Sequence, residues 1–103
     1  MTLQVVYSPR AHRQLRDLYD WIADAGAPER GERFVSAIYD FCDDLATFPL
    51  IGVARDDLLP GLRTIGFRRR ATIAFVVTDA TVEIHGVYYG GRDYEALIQG
   101  SRD

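Results

Sequence analysis

Ser8-Pro9 and Pro28 constrain this chain more than any other residues in it. Proline has no backbone N–H, and its φ is fixed near the helical value. It is therefore accommodated in the first turn of a helix and disrupts one further along. Ser8 adds a hydroxyl that can accept an orphan N–H of that turn, so a helix is expected to begin at Pro9. From there Ala11, Leu15, Leu18, Tyr19 and Ile22 recur at three- and four-residue steps and form one apolar stripe, which Ala25-Gly26 ends. Pro28 opens a second helix, with Glu29 and Glu32 near the N-terminus where the helix dipole favours anions. Its stripe is Phe34, Ile38, Phe41, Cys42 and Leu45, and Phe48-Pro49 closes it. Two striped helices joined by a short connection are expected to fold as an antiparallel helical hairpin.

The flanking segments read as strands. Leu3 to Tyr7 is rich in β-branched and aromatic residues, so the chain should enter through a short strand. Residues 49–61 hold two prolines, two glycines and no sustained period, and read as a loop. Leu62 to Gly66, Ala71 to Thr78 and Thr81 to Tyr89 then form three strands, the last two joined by a tight turn at Asp79-Ala80. Ile73, Phe75 and Val77 are expected to share a face with Val82, Ile84 and Tyr88, and that face should receive the helices. A short helical turn around Tyr94 to Ile98 precedes a polar tail, with 95–103 expected to be flexible. The fold class is α+β: an N-terminal strand, a helical hairpin and a three-stranded antiparallel meander, in two layers and one domain over 1–103.

Charge narrows the function classes. The chain carries twelve arginines, no lysine and fifteen acids, a net charge of −3, which argues against a basic nucleic-acid coat. The arginines are unevenly placed. Residues 63–92 hold five of them against only Asp79 and Glu83. The single cysteine excludes an internal disulfide and a thiolate-rich zinc site, and no spacing suggests a metal or a phosphate loop, so no cofactor is expected. The N-terminus lacks the pattern of a signal peptide and no apolar run is long enough to span a bilayer, so the expected location is cytoplasmic.

Arg68-Arg69-Arg70 is the strongest local signal. Three consecutive guanidiniums at a strand connection repel one another unless an anionic or acidic partner relieves them. Arg63 before the run and Arg92 after the last strand can extend the same sheet edge, and Gly90-Gly91 allows close backbone approach there or makes a plain turn. Trp21 lies one position off the main stripe of its helix. It is either core or an aromatic anchor for a partner. His12 and His85 have no nucleophile paired to them in sequence, Cys42 reads as a buried small hydrophobe, and Asp43-Asp44 and Asp56-Asp57 read as solvated surface.

The order of elements, with SPRAHRQLRDLYDWIA at the start, LATFP closing the second helix, LLPGLRTI after the loop and VEIHGVYYGGRD at the end, resembles the RelE/ParE superfamily of bacterial toxins, over residue 3 to about 98. It is most similar to the ParE branch, whose His-Gly-Ala-Arg-Asp ending here reads Tyr89-Gly90-Gly91-Arg92-Asp93. That resemblance implies the toxin of a type II toxin–antitoxin pair, acting without catalysis by binding DNA gyrase. It also implies a ParD-like antitoxin that folds a helix over the hairpin and sheet in a hetero-oligomer and itself binds DNA, so no direct nucleic-acid contact is expected. The target-binding residues implied are Arg68, Arg69, Arg70, Arg92 and Tyr94, and the antitoxin-binding residues are Trp21 and Arg63. The alternative is a RelE-like ribonuclease acting on ribosome-bound mRNA. Against it, Ile98 stands where that branch's C-terminal tyrosine is expected, although Tyr94 could substitute. A third reading is a non-toxic member that keeps only antitoxin binding.

Overall fold

The computed structural model describes residues 3–90 and 93–100. In chain order it contains β1 (Gln4–Tyr7), α1 (Pro9–Asp24), α2 (Pro28–Asp44), β2 (Val53–Ala54), β3 (Leu62–Phe67), β4 (Ala71–Val77), β5 (Thr81–Tyr89) and α3 (Tyr94–Gly100). The five strands form one sheet in the order β1-β5-β4-β3-β2, antiparallel throughout except that β1 runs parallel to β5.

Both helices start where the prolines require. Ser8 caps α1 by accepting the N–H of Ala11 at 3.0 Å. The stripes of the two helices, led by Leu15, Leu18, Ile38, Cys42 and Leu45, pack onto one face of the sheet with Ile73, Phe75, Val82, Ile84 and Val87. Gly31 is buried at the helix–helix contact. A Cβ there would lie 3.3 Å from Tyr19, so its absence allows the close approach of α1 and α2. The second helix ends at Asp44, earlier than Phe48-Pro49 suggested. Its last turn tightens into bonds from Leu45 to Cys42, Ala46 to Asp43 and Thr47 to Asp44, which satisfy terminal carbonyls at a shorter reach.

Three features correct the sequence reading. The loop over 49–61 contains β2, whose two residues pair with Thr64 and Arg63 and add an edge strand. Gly52 precedes it at φ 81°, where a Cβ would meet the Thr64 carbonyl oxygen at 2.4 Å, so only glycine lets this segment dock. Secondly, a register shift between Ala74 and Phe75 leaves His85 as an extra residue in β5: Phe75 pairs with Ile84 and Ala74 with Gly86. One inserted residue exchanges the faces of everything after it. Val87 and Tyr89 therefore join Ile84 on the helix side, and Tyr88, expected there, points to the opposite face with Ala74, Leu58, Leu62 and Ile98.

Thirdly, that opposite face is covered. The helical turn expected around Tyr94 to Ile98 is present and runs through Gly100, and its Ile98 is fully buried against the second cluster, a packing the two-layer reading did not include. The molecule thus has a third, partial layer. Arg55 ties it down, donating to Asp57 at 2.9 Å, to Glu95, and to the Tyr94 hydroxyl at 3.4 Å. Asp56 accepts the Gly61 N–H at 2.8 Å, so the two adjacent acids both close loop contacts.

Where β1 stops at Tyr7, no strand among the described residues continues beside β5 on that side beyond Ile84. Helix α1 takes its place. Ser8 N–H donates to the Ile84 carbonyl at 3.0 Å, Ser8 Oγ to the His85 carbonyl at 2.8 Å, and Gln14 Oε1 accepts the Val87 N–H at 2.7 Å. The capping serine that starts the helix also anchors it to the bulge. Such a buried N–H left unmade would cost about 1–3 kcal/mol, so Ser8 and Gln14 fix how α1 sits on the C-terminal half of β5.

Candidate interaction groove

The bulge and the helix seat bring Tyr89 to the C-terminal end of α1. There Trp21 is 63% exposed, and its ring centroid lies 6.0 Å from that of Tyr89 at an interplanar angle of 34°. The core alternative for Trp21 is excluded by that exposure. Leu18, Ile22, Ala25 and Ala27 continue the surface around the helix connection, and Phe34 of α2 joins them. The β3–β4 turn contributes Arg69 and Arg70, and Arg30 of α2 completes the lining of a groove of about 480 Å³. The groove combines aliphatic groups, three aromatic side chains and three guanidiniums.

The turn's geometry explains why the arginine run divides. Arg70 N–H donates to the Phe67 carbonyl at 3.0 Å, and the intervening Arg68 and Arg69 have φ of 50° and 58°. Both central residues at positive φ mark the primed hairpin turns, which match the right-handed twist of the strands. For a residue with a Cβ, this left-handed conformation costs roughly 1–2 kcal/mol. The Arg68 guanidinium lies over the Phe67 ring at 5.0 Å from its centroid. Arg68 lines a different recess, with Glu29, Glu32, Arg33 and Asp40 of α2, while Arg69 and Arg70 line the groove.

The remaining residues singled out in the sequence lie elsewhere. Arg63 donates to the carbonyls of Ile51 and Leu50, both at 3.0 Å, and holds the segment leading into β2. Phe48, Leu50 and Val53 are exposed along that segment, a second apolar surface at the opposite sheet edge from β1. Tyr94 packs on Tyr88, with ring centroids 6.3 Å apart, on the sheet face away from the groove. Arg92 lies outside the described residues. Arg30 and Tyr89 were missed. Arg30 stands four residues before Phe34, one helical turn away on the same face, a signal that was available; Tyr89 was hidden by the bulge.

Other titratable groups are set apart from the groove. Burial pushes the Cys42 thiol up to about 12, so it stays protonated and behaves as a small apolar side chain. Burial, and then the charge of Arg10, hold the His85 imidazole below its ordinary value. Among the described residues no group of three or more His, Cys, Asp or Glu is placed to hold a metal ion, and no helix is long and apolar enough to cross a membrane.

Residues 5–94 match the family model for the ParE toxin of the type II toxin–antitoxin system parDE. The chain belongs to that family of toxins. It is 23% identical over 95 residues to Toxin ParE1 of Mycobacterium tuberculosis, covering 92% of this chain and 97% of that protein. Its fold is similar to a chain of the chromosomal ParDE system from P. aeruginosa, with a TM-score of 0.74, 21% identity, and coverage of 85% of this chain and 96% of that one. It is also similar to a chain of the RelBE2 toxin–antitoxin complex from Mycobacterium tuberculosis, with a TM-score of 0.63, 22% identity, and coverage of 87% and 100%. The ParE family assignment agrees with the resemblance carried by the N-terminal helix, the LLPGLRTI segment and the Arg-Asp ending. The two structural likenesses concern the fold.

Proposed function

We propose that this ParE-family toxin acts by binding, with DNA gyrase as its target, and that a ParD-like antitoxin neutralises it in a hetero-oligomer. The observation that carries this reading is the groove that Trp21 and Tyr89 line together with Arg30, Arg69 and Arg70. An exposed tryptophan and arginines among apolar side chains are the residue types that dominate protein–protein hot spots. Trp21, expected at an antitoxin contact, and Arg69 and Arg70, expected at a target contact, share this surface. The antitoxin therefore needs only to occupy the groove to obstruct it.

The groove's chemistry favours binding over bond breaking. Among the described residues its lining supplies guanidiniums, aliphatic groups, an indole, a phenyl ring and one phenol, and neither imidazole nor carboxylate to move a proton near neutral pH. Tyr94, the residue that could serve a ribonuclease, lies on the other sheet face with its hydroxyl accepting from Arg55.

The test is plasmid supercoiling by purified gyrase with ATP. Adding this protein is expected to suppress supercoiling and, after detergent and protease treatment, to yield linear plasmid. Co-purified antitoxin is expected to prevent both. Normal supercoiling at saturating toxin, together with mRNA breaks in a translating extract, would overturn this reading in favour of the RelE-like one.

A further inference from the structure

The described backbone departs from negative φ at a non-glycine residue in one place only, Arg68 and Arg69 of the β3–β4 turn. Hairpins that need this conformation are ordinarily built from Asn-Gly or Asp-Gly, whose backbones tolerate it. Here two long, like-charged side chains occupy the positions, with a third arginine next in sequence. Little inside the molecule compensates for this. Arg68 has the Phe67 ring and the acidic flank of α2, but among the described residues neither Arg69 nor Arg70 has a carboxylate within ion-pair distance, and neither does Arg30 of the same groove. Strained backbone of this kind persists where a site needs it.

We propose that the Phe67–Arg70 turn is a carboxylate-recognition site, in which a strained backbone holds Arg69 and Arg70, with Arg30 in the same lining, to engage acidic side chains of a segment lying in the groove. Folding stability is given up at the turn in exchange for that contact. The proposal rests on the reading that the groove receives a protein partner, and it adds the chemistry by which the partner is recognised. Planar guanidiniums pair with carboxylates through two parallel N–H···O bonds, a geometry that lysine cannot supply. The apolar lining from Leu18, Ile22 and Phe34 takes the aliphatic side chains of such a segment and offers nothing to a phosphodiester chain. Glu29, Glu32 and Asp40, just beyond the turn, repel a polyanion that extends past the groove. The occupant these features fit is an amphipathic peptide carrying Asp or Glu along one side.

The chain has one tryptophan, and it lines the groove, so its fluorescence reports on occupancy directly. The probes are a synthetic amphipathic helix of leucine and glutamate, the same peptide with glutamine for glutamate, and oligothymidylate. The glutamate peptide is expected to shift Trp21 emission, and the glutamine peptide to bind at least about tenfold more weakly. The double variant Arg68→Asn/Arg69→Gly is expected to melt about 4–8 °C higher than the natural chain and yet bind the glutamate peptide at least about tenfold more weakly. Arg70→Gln, which leaves the two left-handed positions intact, is expected to weaken binding with the melting temperature unchanged. A double variant that melts no higher than the natural chain, or that binds the peptide equally well, overturns the proposal, as does equal binding of the two peptides or preference for oligothymidylate. These readouts use neither gyrase nor antitoxin. The target assignment can therefore fail while the carboxylate site stands, and the reverse.

Discussion

Replacing Arg69 and Arg70 together by glutamate is expected to weaken antitoxin binding by about 100-fold or more while leaving the melting temperature within a few degrees of the natural chain. The two guanidiniums stand on the rim of the groove and are not within ion-pair distance of a carboxylate among the described residues, so the fold loses no internal pairing. The partner, by contrast, meets like charge where it had opposite charge. Juxtaposed like charges at an interface cost several kcal/mol, and 100-fold in affinity corresponds to about 2.7 kcal/mol. Titration calorimetry with co-expressed antitoxin measures the effect, and a thermal melt of the free toxin supplies the control. The same reversal at Arg63 is expected to act differently. Its guanidinium holds the carbonyls of Leu50 and Ile51, so the loss falls on the segment leading to β2.

The largest expected effect on folding is at Phe75, whose ring is fully buried at the centre of the helix-facing cluster, beside the bulge. Phe75→Ala removes that ring from between the sheet and both helices and leaves a cavity that rigid neighbours cannot fill. Substitutions of this kind cost about 3–5 kcal/mol, a large fraction of the roughly 5–15 kcal/mol that stabilises a domain. The midpoint is expected to fall by about 15–30 °C for a chain of this length. Val53→Ala, on the exposed β2 edge, is expected to leave it nearly unchanged. A Phe75→Ala melt within a few degrees of the natural one would contradict the placement of the core.

Much of this architecture was legible because local chemistry decided it. Ser8-Pro9 and Pro28 allow helices to begin in few other ways, and runs such as Ala71 to Val77 bury both faces only as an inner strand. The bulge at His85 was not legible. Gly86 stands next to it inside the strand, but a lone glycine does not say which residue is inserted, and that shows itself only through pairing with β4 and the seat of Ser8 and Gln14. That one residue decides that Tyr89 reaches the groove and Tyr88 the opposite face. Two residues of β2 are too few to carry a period, and the parallel pairing of β1 with β5 joins the two ends of the chain.

The site was half legible for a related reason. Composition singled out the Arg68 to Arg70 run and Trp21, but not their meeting, because a groove between a helix end and a hairpin turn is a property of tertiary packing. The same packing separates Arg63 and Tyr94 from it. Arg68 shares the turn yet lines the recess on the acidic side of α2, since successive residues of a tight turn point to different sides.

Amide hydrogen exchange of the toxin, free and bound to its antitoxin, tests the central claim most directly. The account predicts slowed exchange concentrated at the C-terminal half of α1, the start of α2 and the β3–β4 turn, with Trp21 emission shifted in the complex. Protection confined to residues 48–54 and α3, with the groove exchanging as freely as before, would contradict it.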